Sequence, residues 1–197
     1  LGVGLSRTRG INISTGEYIA FLDSDDIWNE NKTYKQLKFL RENIDFGLIG
    51  SLTNMPKSSS PFYKKNNHLF YNITIFDLLF KWYLQPSTVI VKKILLSKID
   101  NDIYRYGGEG WYYIQLTTFT KLSLLNEVLV NYDNGKRGFG KKGLTAKIHY
   151  MEKCELRNFY FGLKYGNINF LFFLLAVSFS IIKYIRRLII CKIDEYT

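Results

Sequence analysis

Gly16-Glu17-Tyr18-Ile19-Ala20-Phe21-Leu22-Asp23-Ser24-Asp25-Asp26-Ile27-Trp28 is the stretch on which the fold turns. Residues 17–22 form a short run, mostly apolar, between Gly16 and the acidic cluster Asp23-Ser24-Asp25-Asp26. An apolar run without polar alternation predicts a strand buried on both faces, as in a parallel sheet. Asp23 and Asp25 then fall at the carboxyl end of a central strand, where open α/β sheets bind their ligands. Two carboxylates on one turn can hold Mg²⁺ or Mn²⁺, with phosphate oxygens and water completing the shell. A cation so placed neutralises a diphosphate leaving group. The same four residues also suit an Asx turn or a helix N-cap. The residues alone leave both roles open.

Working outward, Leu37, Leu40 and Ile44 recur at helical spacing and predict an amphipathic helix over 31–43, ending near Asn43. Residues 46–51 predict the next strand, 54–67 a loop, 73–83 a helix and Ser87–Lys92 a strand. Gly107-Gly108-Glu109-Gly110 precedes a helix expected to start near Trp111, followed by a strand at 127–132. Alternating helices and strands point to an α/β layer architecture. The last third differs. Phe170–Ile182 has 11 apolar residues in 13, and Lys183, Arg186, Arg187 and Lys192 follow.

The 197 residues, 47% hydrophobic and 22% charged, suit one ordinary globular domain and exclude a disordered or low-complexity chain. Cys154 and Cys191 are too few for a disulfide framework or a four-cysteine zinc site, so a reducing compartment is expected. The net charge of +10 suits phosphate-bearing partners: nucleic acid, anionic lipid or a diphosphate substrate. A nucleic-acid-binding module would carry a recognisable signature, and none is seen; no nucleic-acid partner is expected. No charged segment followed by an apolar one opens the chain, so no signal peptide is expected. The uncharged stretch Ile168–Ile182 has 15 residues, short of the ~20 that a spanning helix needs. An in-plane amphipathic anchor on an anionic leaflet is the expectation, its four basic residues at the headgroups. A spanning or re-entrant helix and a core helix are the alternatives.

The segment from Gly16 to Trp28 closely resembles the signature of family 2 glycosyltransferases, inverting enzymes of the GT-A fold. Ser6-Arg7-Thr8-Arg9-Gly10-Ile11 resembles that family's Ala-Arg-Asn-x-Gly-Ile segment, with Thr8 in place of Asn. Lys32 and Gln36 fall where the family has the Lys and Gln of its next helix. Pro86-Ser87-Thr88-Val89 and Asn126-Glu127-x-Leu129-Val130-x-Tyr132 are similar to later family segments. The likeness spans residues 2–135. It implies a Rossmann-like mixed sheet flanked by helices, with 1–150 a partial GT-A domain and 151–197 a helical, membrane-associating segment. It further implies that the first strands, roughly two βα units or about 60–70 residues, precede Leu1.

Carried over residue by residue, the resemblance implies that Asp23 contacts the nucleotide and that Asp25, with Asp23, holds Mn²⁺ or Mg²⁺. Arg7 would support the nucleotide side of the cleft, a solvated basic edge being the alternative for Arg7 and Arg9. The family's catalytic base is the Asp of a Glu-Asp pair before an aromatic residue; here Gly108-Glu109-Gly110-Trp111 fills that segment, with Gly110 at the Asp position. Glu109 is therefore the candidate base, or a helix-start carboxylate favoured by the dipole. Lys136 and Arg137, in a glycine-rich basic loop over 134–143, are candidates to fold over the diphosphate; a solvated charge run is the alternative. Trp82, Tyr83, Trp111 and Tyr112 are either core or a platform for an acceptor sugar. The implied activity is inverting transfer of a sugar from a nucleotide-diphosphate donor to a glycan or lipid-linked acceptor, at the cytoplasmic face of the plasma membrane. The alternative is an inactive fragment of such an enzyme that acts as a membrane-associated binding module.

Overall fold

The chain is organised around β3 (Phe46–Thr53), whose residues Gly47 to Leu52 are all buried. Burial on both faces requires close neighbours, and two glycines admit them. A Cβ on Gly47 would stand 2.1 Å from Leu95 Cδ1, and one on Gly50 2.5 Å from Leu84 Cδ2. The computed structural model describes residues 3–55, 68–80, 84–99, 109–132 and 147–195. In chain order these form α1 (Val3–Ile13), β1 (Tyr18–Ala20), β2 (Ile27–Trp28), α2 (Lys32–Glu42), β3, β4 (Phe70–Ile73) and α3 (Ile75–Phe80). A 3₁₀ turn (Pro86–Thr88) leads into β5 (Ile90–Lys92) and α4 (Lys93–Leu96). Then come α5 (Glu109–Leu116), β6 (Lys121–Asn131), α6 (Ile148–Lys164) and α7 (Phe170–Glu195).

The strand order is β1-β5-β3-β6-β2, with β4 also paired to β6. β3 and β6 run parallel and the other pairs antiparallel, so the sheet is mixed. Side chains alternate between its faces, as the two-residue strand period demands. Ile49 and Ile90 join Phe39 and Leu40 of α2 in one cluster. Leu48 and Val91 join Leu78, Leu79, Trp111 and Leu122 in the other, together with Phe159 of α6 and Ala176 of α7. The result is helices on both faces of a mixed sheet, the α/β architecture expected.

Three local expectations change. Among the described residues β1 has one strand neighbour, β5, rather than a central place. Ile19 and Phe21 are buried while Ala20 and Leu22 are exposed; an all-apolar run cannot show which of its two faces is covered. The two-face-buried strand with a parallel neighbour is β3. Residues 86–88 form a 3₁₀ turn, not the start of a strand. Pro86 supplies the fixed φ, and the backbone N–H of Thr88 and Val89 donate to Gln85 O and Pro86 O at 2.9 and 3.0 Å. β6 begins at Lys121, six residues before the strand expected at 127, because its first half lies between β3 and β4. The tail helix runs from Phe170 through the basic stretch to Glu195, and its Lys183 and Arg187 meet Glu155 of α6 at 2.5 and 3.8 Å. The helix preceding it ends where Gly166 takes φ +75°, and Asn169 Oδ1 accepts the Phe172 N–H at 2.8 Å to open α7.

The buried side of α2 is Lys32, Gln36, Phe39 and Leu40, so two of its four positions are polar. Ile44, which the spacing counted into the helix, lies beyond Asn43 and is 80% exposed. Gln36 Nε2 donates to Thr88 O at 2.8 Å and Ile49 O at 3.3 Å. Lys32 is fully buried, with its Nζ 4.3 Å from the centre of the Trp28 ring. Burial pushes the Lys32 pKa down to about 7, since the charged form loses its water.

That lowered pKa sets a pH dependence. Between pH ~7 and ~10.5 the unfolded chain holds a proton at residue 32 that the folded chain does not, so this residue makes stability rise with pH across that window. Below pH ~7 the full penalty of a buried charge remains. Lys32→Met is expected to be more stable than the parent at pH 6, with the gain shrinking steadily towards pH 10. Denaturant titrations of both proteins at several pH values measure it, and parallel stability curves would overturn it.

Candidate functional site

The acidic turn begins where β1 ends. The backbone N–H of Asp26 donates to Asp23 O at 3.1 Å and closes the turn; β2 then leads the chain into α2. The turn is fixed from outside by Ser87. The Asp23 N–H donates to Ser87 Oγ at 3.0 Å, and the Trp28 indole N–H donates to Ser87 O at 2.8 Å. Ser87 is itself fully buried, so both ends of the acidic turn hang on one residue of the 3₁₀ turn. Its hydroxyl is the positioning group that the sequence did not reveal; the Pro86-Ser87-Thr88-Val89 likeness marked the segment but not the bond.

Arg7 projects from α1 onto this turn. Its guanidinium donates from Nη2 to Asp23 Oδ1 and from Nη1 to Glu109 Oε1. The Arg7 side chain is 9% exposed, against 35% for Asp23 and 20% for Glu109. The guanidinium carbon also stands 5.9 Å from the centre of the Phe21 ring. Arg7 is therefore no solvated basic edge, whereas Arg9 is exposed. The rigid fork of an arginine can meet two carboxylates at once, which an ammonium cannot do in the same geometry.

Glu109 is the first residue of α5, and its carboxylate reaches the acidic turn. Gly110, at the Asp position of the family motif, is buried in α5, where a carboxylate would have to leave water. Asp25 is exposed on the turn. Three candidates, Arg7, Asp23 and Glu109, thus meet in one cluster, and Asp25 stands beside it. Lys136 and Arg137 lie outside the described residues, as do Trp82 and Tyr83. Trp111 and Tyr112 are each 2% exposed, and Trp111 packs on Phe161 and Tyr165 with ring centres 5.7 and 5.5 Å apart. Both are core residues, which removes them from any sugar platform.

Among the described residues no group of three or more His, Cys, Asp or Glu is arranged to hold a metal. A closed, all-protein cage is not what the turn offers. Two carboxylates on one turn, one of them exposed, do match a hard cation that takes one or two protein oxygens and completes its shell with phosphate and water. Asp25 is the freer of the two for that purpose, since Asp23 is held by Arg7.

The cluster predicts its own energetics. Arg7→Ala leaves two carboxylates facing each other without their shared cation and is expected to lower stability by about 1–3 kcal/mol. Adding Glu109→Gln to Arg7→Ala is expected to recover part of that loss, and Arg7→Lys to hold only one partner. Denaturant unfolding of the single and double variants measures the coupling. Strict additivity would show that the three groups do not act together.

The sequence profile described as "Glycosyltransferase like family 2" matches residues 1–108, more than half of the chain. An uncharacterized glycosyltransferase of Methanocaldococcus jannaschii is 29% identical, over 91% of this chain and 67% of its own length. The amylovoran biosynthesis glycosyltransferase AmsB of Erwinia amylovora is 30% identical over 49% of this chain and 35% of its own. Glycosyltransferase GlyG of Streptococcus pneumoniae is 28% identical over 69% of this chain and 39% of its own. The chain therefore spans between 35% and 67% of the length of these three relatives. Among solved structures, S. aureus TarS aligns with 83% of this chain and 32% of its own, at a TM-score of 0.48 and 14% identity.

Proposed function

The chain belongs to glycosyltransferase-like family 2, and from that premise we propose that it forms the catalytic body of an inverting glycosyltransferase. The donor is a sugar carried on a nucleoside diphosphate, and the acceptor a glycan or a lipid-linked sugar. The observation that supports the site is the meeting of Asp23 and Glu109 on the one guanidinium of Arg7. That contact sets a candidate base beside the turn that would receive the diphosphate.

In this proposal Glu109 takes the proton of the acceptor hydroxyl while that oxygen attacks the anomeric carbon. The bond from that carbon to the diphosphate breaks, and the nucleotide leaves with the electron pair. Configuration inverts because attack and departure occur on opposite faces. Asp25 and Asp23 would hold Mn²⁺ or Mg²⁺, which supplies positive charge to the leaving diphosphate. Arg7 fixes Asp23 and Glu109 relative to each other and sets the edge of the nucleotide side. Lys136 and Arg137 remain candidates to close over the diphosphate. The naming of one relative for amylovoran biosynthesis supports a role in building a polysaccharide. We place the protein on the inner face of the plasma membrane, with α7 as the segment that meets the lipid.

The site is tested by titrating uridine diphosphate into the full-length protein with and without Mn²⁺. Binding is expected to tighten with the metal, and Asp25→Ala to remove at least a tenfold share of that gain, about 1.4 kcal/mol. Glu109→Gln should leave this binding intact and abolish transfer. Metal-independent binding that Asp25→Ala does not change would leave the acidic turn a structural element.

A further inference from the structure

α7 has two faces of different chemistry. Its inward side carries Phe173, Ala176, Val177 and Ser180; Ala176 and Ser180 are fully buried, and Phe173 and Val177 pack on the main core. Its outward side carries Leu171, Leu175, Ile182, Ile185, Ile189 and Ile193, each between 49% and 65% exposed. Their spacing keeps them in one stripe, which also holds the exposed Ser178 between Leu175 and Ile182, since residues three and four apart share a helix face. The stripe is ~33 Å long at 1.5 Å per residue. It widens through Leu174 and Ile181, 45% and 42% exposed, and continues onto Phe76 of α3, 48% exposed and 6.5 Å from Phe172 between ring centres.

The basic residues divide between the faces. Lys183 and Arg187 turn inward to Glu155, with side chains 23% and 20% exposed. Arg186 and Lys192 are exposed beside the stripe. From Phe170 to Ile193 the helix has no acidic residue. Among the described residues no helix is long and apolar enough to cross a membrane.

We propose that α7 lies in the plane of an anionic lipid surface, with the Leu171–Ile193 face sunk to the headgroup–acyl boundary and Arg186 and Lys192 among the headgroups. This rests on the membrane part of the function proposed above. Lys183 and Arg187 take no part in lipid contact; with Glu155 they fasten the helix to the body. Lipid is favoured over a second copy of the chain on two grounds. The stripe is wider than the two-in-seven seam of a helix pair, and its exposed charges are all of one sign on a chain of net +10, which attracts an anionic surface and repels a copy. Apolar insertion with two flanking cations, rather than four, also sets the salt response: binding weakens only in part when charges are screened.

Co-sedimentation with vesicles of phosphatidylcholine, alone or mixed with phosphatidylglycerol, tests the assignment. Replacing Ile182, Ile185 and Ile189 together by Ser changes exposed positions only and is expected to weaken partition at least about tenfold, with the circular dichroism spectrum unchanged. Arg186→Gln with Lys192→Gln is expected to remove the preference for anionic vesicles while leaving binding to both. Lys183→Gln with Arg187→Gln is expected to leave partition unchanged and to lower the melting temperature. The proposal is overturned if the triple Ser variant binds like the parent, or if losing Lys183 and Arg187 accounts for the binding. It is equally overturned if the parent is a dimer in solution that the triple variant dissolves. A parent that binds no vesicle removes the membrane assignment altogether, while the Mn²⁺-dependent nucleotide titration reads the glycosyltransferase proposal independently of every tail variant.

Discussion

The guanidinium of Arg7 is almost shut off from water, and its charge has to be met by the protein. It is met twice, by Asp23 from the turn after β1 and by Glu109 from the start of α5. Three elements far apart in the chain are thereby held to a common point: α1, the end of β1 and the first turn of α5. The two carboxylates repel each other and tolerate proximity only because one rigid cation lies between them. Removing the cation leaves the carboxylates without a reason to be adjacent, so the geometry of the site depends on this contact more than on any single strand pairing.

Around that point the sheet is tied down by buried polar groups rather than by apolar packing alone. Ser87 holds the backbone of Asp23 and the indole of Trp28, and Gln36 holds the carbonyls of Thr88 and Ile49. Together they link α2, the 3₁₀ turn and the acidic turn across one end of β5. Such bonds contribute only modestly to net stability, but an unmade one is costly in a dry setting. They therefore fix position more than they add strength. Lys32 is the exception in this group, a buried amine whose company is an aromatic face, and the fold bears its desolvation cost.

α7 illustrates how one helix serves two environments. Its inward face completes the core with Ala176 and joins α6 through Glu155, while its outward face leaves a mostly apolar surface, broken at Ser178, uncovered by the described residues. An exposed apolar stripe of that length is unusual on a monomer and marks a surface that meets something apolar. The inward side of this segment is that of a core helix, and the proposed lipid contact concerns only its outward side.

Much of the site was legible in the sequence. The acidic turn after a short apolar strand, and the helix from Lys32, follow from local patterns that need no tertiary information. So does the α/β class, because alternating helical and strand periodicities are set residue by residue. Element type survives in sequence where it depends on neighbours two positions away in a strand or three to four away in a helix. What the sequence left open depends on which face of an element is covered. β1 was expected at the centre because an apolar run does not record which side finds a partner; the burial of Lys32 and Gln36 on the inner side of α2 was likewise not readable, because hydropathy cannot register a buried polar contact. The meeting of Glu109 with Arg7 could not be read from the sequence, and neither could that of Lys183 and Arg187 with Glu155 of α6. Residue types and local periods were determined by the sequence itself; the pairing of charges across the chain was decided by tertiary structure, because a charge is satisfied by whatever the fold brings within about 3 Å of it, not by its neighbours in the chain.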